Sequence, residues 1–150
     1  MNNQSTQTIT FPTEEDLKIL EAQRSVCTQY LGDENSKAKY HSSSAGKLGL
    51  LRALLAANIF SADQTYELQA MGVILGDVFV KELGMQWIMV EDDYGRNPAL
   101  QMPGTSIILY PQTMISKRVE KGDSVDVFDL FNGLADEVDR LRMEQQSDSR

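Results

Sequence analysis

The side chains that could do chemistry are concentrated between Asp77 and Arg118. The carboxylates among them suit a metal ion or a proton transfer, and the guanidinium groups suit an anionic ligand, because arginine donates paired hydrogen bonds to carboxylates and phosphates. None forms a recognised catalytic or cofactor motif, so the sequence predicts no catalytic residue, no metal site and no cofactor. The candidate binding residues are Trp87, Asp92, Asp93, Tyr94, Arg96, Lys117 and Arg118.

An acidic run, Glu91 to Asp93, is the candidate for a metal site. Three carboxylates at the end of a strand supply the oxygen ligands that Mg²⁺ or Ca²⁺ prefers. Adjacent strand residues point to opposite faces, however, and the run lacks the ligand spacing of a calcium loop. We therefore interpret it as a turn whose aspartate side chains bond to local backbone amides.

Asp77 lies inside an otherwise apolar helical pattern and needs a partner, because a buried unpaired carboxylate is costly. Arg96 and Arg118 are the arginines that could pair with it. Alternatively, these arginines and Lys117 could hold an acidic ligand or peptide. The sequence favours the internal ion pair over the ligand site.

Trp87 and Tyr94 are the aromatic candidates. Aromatic side chains beside a turn often anchor protein interfaces. Trp87, the single tryptophan of a small chain, is better interpreted as a core residue, whereas Tyr94 lies in the turn itself and is the stronger interface candidate.

Cys27 and His41 are the only cysteine and the only histidine. One thiol cannot form an internal disulfide, and the two residues cannot build a zinc site without two more ligands. Cys27 continues a helical apolar pattern and is interpreted as a small core residue. His41 lies in the polar, serine-rich segment 40–44, which is interpreted as a loop and not as part of a catalytic triad.

The net charge is −8 and is unevenly divided. Residues 1–75 hold 6 basic and 8 acidic side chains, whereas residues 76–150 hold 8 and 14. Because phosphate groups repel an acidic protein, nucleic-acid binding and binding to anionic membranes are not expected. A basic protein partner is compatible with this charge. The N-terminus lacks the basic residues and apolar run of a secretory signal, so a cytoplasmic location is expected.

The N-terminal half has helical patterns. Thr13 and the acidic residues after it predict the start of a helix whose apolar side includes Leu17 and Cys27. Further helices are predicted at 47–60 and 61–83, separated from the first by a linker or long loop at 33–46. The third helix is apolar on more than one face and should be central. Its two glycines, Gly72 and Gly76, lie one turn apart, where another backbone could approach closely.

After Gly84 the pattern changes to that of strands. Short strands are predicted at 85–91, 99–102 and 106–110, with 92–98 as a turn, and a last helix begins near Asp126. The predicted fold is α+β: N-terminal helices, a small three-stranded antiparallel sheet over about 85–110, and a C-terminal helix packed on one face. Residues 13–143 are predicted to form a single domain between flexible tails at 1–12 and 144–150.

Residues 68–135 contain a series of short motifs: Leu75-Gly76-Asp77, Trp87, Asp93-Tyr94-Gly95-Arg96, Ala99-Leu100, Pro111 and Met114-Ile115-Ser116-Lys117-Arg118. With these motifs the segment resembles a bacterial domain of uncharacterised function, the domain of unknown function 3806. The resemblance implies a small soluble bacterial protein of α+β type and supplies no activity, substrate or catalytic residue.

Together these observations lead to three functional hypotheses. The first is a non-enzymatic protein–protein interaction module, an adaptor or immunity protein, that presents the turn 92–96 and the acidic face of the last helix to a basic partner. The second is an enzyme or a ligand- or metal-binding domain in which Asp93 works with Arg96, Lys117 and Arg118 on an anionic ligand. The third is a structural subunit of a homo-oligomer with Gly72 and Gly76 in its interface. The sequence leaves the oligomeric state open.

Overall fold

The computed structural model describes residues 6–148, which form six helices and four strands. Residues 1–5 and 149–150, which belong to the predicted tails, lie outside the described residues. In chain order the elements are β1 (Thr8–Thr10), α1 (Glu14–Thr28), α2 (Glu34–Ser42), α3 (Ser44–Ala56), α4 (Thr65–Leu83), β2 (Gln86–Asp92), β3 (Gly95–Gln101), β4 (Ile108–Leu109), α5 (Gln112–Glu120) and α6 (Val127–Asp148).

The sheet is antiparallel with the strand order β1-β2-β3-β4. The α+β class agrees with the prediction, but the sheet has four strands and not three. The additional strand is β1, which pairs with β2 so that Ile9 lies opposite Val90. The prediction that residues 1–12 form a flexible tail is therefore wrong at residues 8–10. A three-residue strand has little pattern of its own, and its backbone groups find partners only after β2 has formed.

The turn between β2 and β3 is shorter than the predicted turn 92–98. Strand β3 already begins at Gly95 and passes through Pro98, which lies opposite Met89. Proline lacks a backbone N–H and is tolerated where a strand has no neighbour on that side. In the described sheet β4 pairs only with Leu100 and Gln101 of β3. Pro98 therefore has no neighbouring strand on the side of β4.

Helix α2 occupies most of the segment that was predicted as a linker. Its first turn is capped by Asp33, whose side chain accepts a hydrogen bond from the Ser36 amide at 2.6 Å. Tyr40 is the residue of α2 whose side chain is buried. The helix has almost no apolar stripe apart from this tyrosine, and His41 follows on the exposed side. The weak pattern explains why the sequence did not reveal the helix.

Helix α4 is the centre of the molecule, as its all-round apolar pattern predicts. It packs against α1, α3, α5 and α6. Its residues Leu75, Val78 and Phe79 are fully buried, together with Leu51 of α3 and Ile115 of α5. Gly84 follows α4 with a φ of 74° and ends the helix in the left-handed conformation.

Gly72 and Gly76 allow the segment before α5 and the ring of Trp87 to lie against α4. A Cβ atom on Gly72 would be 2.4 Å from the Pro111 carbonyl oxygen, and one on Gly76 would be 2.6 Å from the Trp87 ring. Both glycines are buried inside the chain. The hypothesis that they form an interface between subunits is therefore wrong, because the close approach occurs within one molecule.

Helix α6 continues to residue 148, so the tail predicted at 144–150 is wrong over its described part. Near its end the side chain of Gln145 contacts the loop before β4 and donates to the Ser106 hydroxyl at 3.0 Å. Among residues 6–148, no helix combines the length and the hydropathy that crossing a bilayer requires.

Candidate functional site

The β2–β3 hairpin presents the predicted turn residues at its tip. Asp92 Oδ1 accepts a hydrogen bond from the Tyr94 amide at 2.8 Å, which is the local bond expected of an aspartate turn. Gly95 follows with a φ of 122°, a backbone conformation that favours glycine. Tyr94 is 91% exposed, so the turn holds an aromatic side chain in solvent.

Carboxylates surround this tyrosine. Glu91 and Asp93 are exposed, and Asp92 is half-buried. Tyr110 lies close enough for the Asp92 carboxylate to act on it: burial, and then that charge, raise the pKa of the Tyr110 hydroxyl. The tip of the hairpin is thus an acidic surface with one fully presented aromatic ring.

Arg96 fixes the hairpin to helix α1. Its guanidinium donates two hydrogen bonds to the Asp16 carboxylate, at 2.5 and 2.6 Å, in the paired geometry that arginine and carboxylate groups favour. The predicted pairing of Arg96 with Asp77 is therefore wrong. Because its hydrogen-bonding face is directed to Asp16, Arg96 acts as a brace for the hairpin and is not an open anion-binding group.

Asp16 has a second role at the start of α1. Its carboxylate accepts from the Thr13 amide at 2.8 Å, and its own amide donates to the Thr13 hydroxyl at 3.1 Å, so the two residues form a capping box. The bonds from Arg96 and Thr13 hold the pKa of Asp16 well below its usual range. A single carboxylate therefore joins the start of a helix to the hairpin.

We expect the contribution of Asp16 to stability to disappear in acid. Because folding lowers its pKa, the stabilisation is present above the pKa of an unfolded aspartate, about 4, and is lost as the pH falls below that value. The variant Asp16→Asn should therefore be less stable than the wild type at pH 7, and the difference should shrink steadily below about pH 4. Urea unfolding between neutral and acid pH measures this difference. Asp93→Asn at the exposed turn is the control, and an Asp16→Asn deficit that persists unchanged in acid would contradict the expectation.

Asp77 pairs with Arg24 of α1, a residue that the sequence analysis did not single out. Arg24 Nε and Nη2 donate to the two carboxylate oxygens of Asp77 at 2.7 and 2.9 Å. Trp87 Nε1 donates to Oδ1 of the same carboxylate at 3.2 Å. Trp87 is half-buried and packs against the main core. Asp77 is thus the acceptor at a junction of α1, α4 and β2.

Lys117 and Arg118 do not join this junction. Both are exposed on α5, and Arg118 Nη1 donates to the Met114 carbonyl oxygen of its own helix at 2.7 Å. The predicted pairing of Arg118 with Asp77 is wrong. A small cavity beside Arg96 is lined by residues of α1, β2, β3 and α5, and neither Asp93 nor Lys117 nor Arg118 is among them.

Three polar residues of α1 were missed as structural residues, namely Asp16, Gln23 and Arg24. Gln23 is buried and accepts from Gln112 Nε2 at 2.8 Å, which ties α1 to the start of α5. The spacing of the sequence could have indicated that Asp16 and Gln23 are buried. Both recur at helical intervals with Leu20 and Cys27, and these four are the buried residues of α1. Leu17, which was predicted on the buried side, is 50% exposed.

Cys27 lies in the core with no exposed surface, and burial raises the pKa of its thiol to about 12. A thiol with such a pKa stays protonated at neutral pH and is a poor nucleophile. Within residues 6–148 the structure brings together no group of three or more histidine, cysteine, aspartate or glutamate side chains that could hold a metal ion.

The fold and this set of contacts define a small α+β domain in which charged pairs tie α1 to the antiparallel sheet and to the central helix. The chain belongs to the family of the domain of unknown function 3806 (DUF3806), whose model matches residues 47–131. The match begins earlier than the segment 68–135 indicated by the sequence motifs and includes most of α3. It contains the hairpin, Asp77 and Trp87 but neither Asp16 nor Arg24.

A crystal structure of a protein from Bacteroides thetaiotaomicron VPI-5482, at 1.50 Å resolution, has a similar fold. The TM-score is 0.70 at 14% sequence identity, and the similarity covers 91% of this chain and 50% of that chain. This chain therefore spans about half the length of that protein, and the likeness concerns the fold alone. No curated protein matches the chain.

Proposed function

We propose that this protein is an interaction module that binds a basic protein partner through the tip of the β2–β3 hairpin, with Tyr94 as the anchor. The observation that carries the proposal is the 91% exposure of a tyrosine on a turn that the Asp92 side chain shapes. Tyrosine is enriched among the residues that contribute most to binding at protein interfaces, and a ring whose backbone is already ordered loses less conformational entropy on binding.

The charge around Tyr94 indicates the chemistry of the partner. Glu91, Asp92 and Asp93 lie in the hairpin beside the ring, and Arg96 of the same hairpin is already paired with Asp16. The excess negative charge of the hairpin would attract lysine and arginine side chains and speed their association at low salt. The exposed acidic face of α6 adds to the same field, although Arg140 pairs with Glu137 and Glu144 on it.

The alternative of an anionic ligand held by Asp93, Arg96, Lys117 and Arg118 receives no support from the geometry. Arg96 is paired with Asp16, and Arg118 bonds to its own helix. The cavity that Arg96 lines has none of Asp93, Lys117 and Arg118 in its walls.

We expect Tyr94→Ala to abolish partner capture without changing the fold. Protein tagged at its C-terminus would be incubated with lysate of its native cells at low salt and then washed with NaCl rising to about 0.5 M, where exposed charges are strongly screened. A partner should remain on the wild type, leave as the salt rises, and be at least about tenfold depleted on Tyr94→Ala, as expected for an aromatic anchor. The free energy of unfolding should change by less than about 0.5 kcal/mol, because the ring makes few contacts.

Tyr66→Ala is the matched control, since Tyr66 is a 51% exposed tyrosine at the start of α4, outside the hairpin. It should retain the partner as the wild type does. Equal retention on Tyr94→Ala, or a wild-type column with no stoichiometric partner, would contradict the proposal.

A further inference from the structure

A cavity of about 360 Å³ opens between the end of α3, the start of α4 and the loop from α5 to α6. Its volume lies at the lower end of the range typical of small-molecule sites. All its lining residues fall within the family-matched segment 47–131, and none belongs to the β2–β3 hairpin. The cavity is therefore separate from the surface proposed to bind a protein.

The floor of the cavity is apolar and its rim is polar. Leu54, Leu68, Met71 and Val127 line it and are buried in the main core. The exposed lining residues, which form the rim, are Arg52, Ala56, Asn58, Asp123, Ser124 and Asp126. Apolar walls with a few convergent polar groups are the usual composition of a ligand site.

Two capped helix ends hold the rim in place. At the end of α3, Asn58 takes a φ of 50° and the Ile59 amide donates to the Leu54 carbonyl oxygen at 3.2 Å. At the end of α5, Gly122 takes a φ of 82° and the Asp123 amide donates to the Arg118 carbonyl oxygen at 3.0 Å. These are the hydrogen bonds of a Schellman motif, which fixes the direction in which the chain leaves a helix. Asn58 and Asp123 are thus part of ordered backbone.

Arg52 is positioned but not saturated with hydrogen bonds. Its guanidinium carbon lies 4.1 Å from the centroid of the Phe128 ring. Its nearest carboxylate oxygen, Asp126 Oδ1, is 3.8 Å from Nη2, beyond hydrogen-bond distance. That oxygen already accepts from the Phe128 and Asp129 amides at 3.0 and 3.1 Å. Within the described residues, the guanidinium therefore has donors left for a carboxylate from outside.

Asp123 supplies the opposite charge on the same rim. Its side chain is exposed and makes no hydrogen bond or ion pair within residues 6–148. A ligand with only a carboxylate would meet two aspartates on the rim that carries Arg52, and a ligand with only an amine would meet Arg52. A zwitterion satisfies both sites and has no net charge to oppose the acidic rim.

We propose that this cavity binds a free amino acid with an apolar side chain. The ligand carboxylate pairs with Arg52, its ammonium group pairs with Asp123, and its side chain contacts the floor formed by Leu54, Leu68 and Met71. The guanidinium lies over the Phe128 ring, and this contact positions it for a paired interaction with the carboxylate.

The first test is direct binding of L-leucine and L-phenylalanine to the whole protein, measured by titration calorimetry. Two analogues of leucine with a single charge, 4-methylpentanoate and 3-methylbutylamine, separate the two ionic contacts. At least one of the amino acids should bind, and each analogue should bind at least about tenfold more weakly than leucine, because it lacks one charge-assisted contact. Absence of binding of both amino acids at millimolar concentration, or equal binding of either analogue, would overturn the proposal.

Variants assign the contacts. Arg52→Gln and Asp123→Asn should each weaken amino-acid binding about tenfold, whereas Arg142→Gln, on α6 outside the cavity, should leave it unchanged. Asp123→Asn should also remove the preference for leucine over 4-methylpentanoate, which a merely structural change would not do. Wild-type affinity in Arg52→Gln, or an unchanged preference in Asp123→Asn, would show that the rim charges do not select the ligand.

Discussion

Replacing Gly72 by alanine is expected to destabilise the protein by about 1–3 kcal/mol, the usual cost of inserting a methyl group where a packed interior leaves no room. The new Cβ atom would lie 2.4 Å from the Pro111 carbonyl oxygen and 2.6 Å from Gln112 Cα. Both are backbone atoms and cannot turn aside as a flexible side chain can. The start of α5 would have to move away from α4, and the interface between these two helices would open.

Gly49→Ala is the matched control for this prediction. Gly49 lies within α3, and nothing would stand within 4 Å of a Cβ atom there. The same substitution should stabilise the protein by roughly 0.5–1 kcal/mol, because alanine has the higher helix propensity. Urea unfolding of both variants measures the free energy of unfolding, which should fall in Gly72→Ala and rise in Gly49→Ala. A Gly72→Ala protein as stable as the wild type would show that α5 is not packed as closely as described.

Removal of the Asp77 carboxylate is the second change with a large expected effect. In Asp77→Ala the Arg24 guanidinium would keep, among the described residues, the exposed Glu21 as its carboxylate partner, and the Trp87 N–H would lose its acceptor. Breaking one side of a buried ion pair costs about 3–5 kcal/mol. The side chains of Arg24 and Asp77 are 21% and 15% exposed, so water can partly solvate the charge that remains. We therefore expect Asp77→Ala to lower the free energy of unfolding by about 2–4 kcal/mol.

Two further variants separate this interaction from a general effect of charge. Glu21→Ala removes the other carboxylate bound to Arg24, but that carboxylate is 70% exposed and should contribute less than about 1 kcal/mol. The double variant Arg24→Met with Asp77→Leu should recover much of the lost stability, since two apolar side chains leave no unpaired charge. If Asp77→Ala cost no more than Glu21→Ala, the junction of α1, α4 and β2 would not depend on this carboxylate.

The local features of the fold could be predicted because they depend on neighbouring residues. Thr13 with Asp16 begins α1, and Gly84 follows α4 with left-handed backbone that other residues adopt less readily. The turn after β2 forms because an aspartate side chain bonds to the amide two residues later. The apolar pattern of α4 likewise predicted a central helix, because burial on several faces requires apolar residues on several faces.

Helix α2 and strand β1 could not be predicted in this way. The residues of α2 carry almost no apolar stripe, and the helix is held by the Asp33 cap and by one buried tyrosine. Strand β1 is three residues long and gains its backbone partners from β2, about 80 residues later in the chain. Neither element has a strong local signal, because each depends on contacts that form only in the folded chain.

The sequence by itself determined that Asp77 needs a partner and that Tyr94 lies in a turn. Only the tertiary structure decided that the partner is Arg24, that Arg96 instead holds Asp16, and that Lys117 and Arg118 stay apart from both. Electrostatic attraction favours any nearby pair of opposite charges, and several arginines of the chain are possible partners for a given carboxylate. The packing of α1 across α4 and the sheet sets which of these charges come within hydrogen-bond distance, and that packing depends on the shapes of apolar side chains far apart in the sequence.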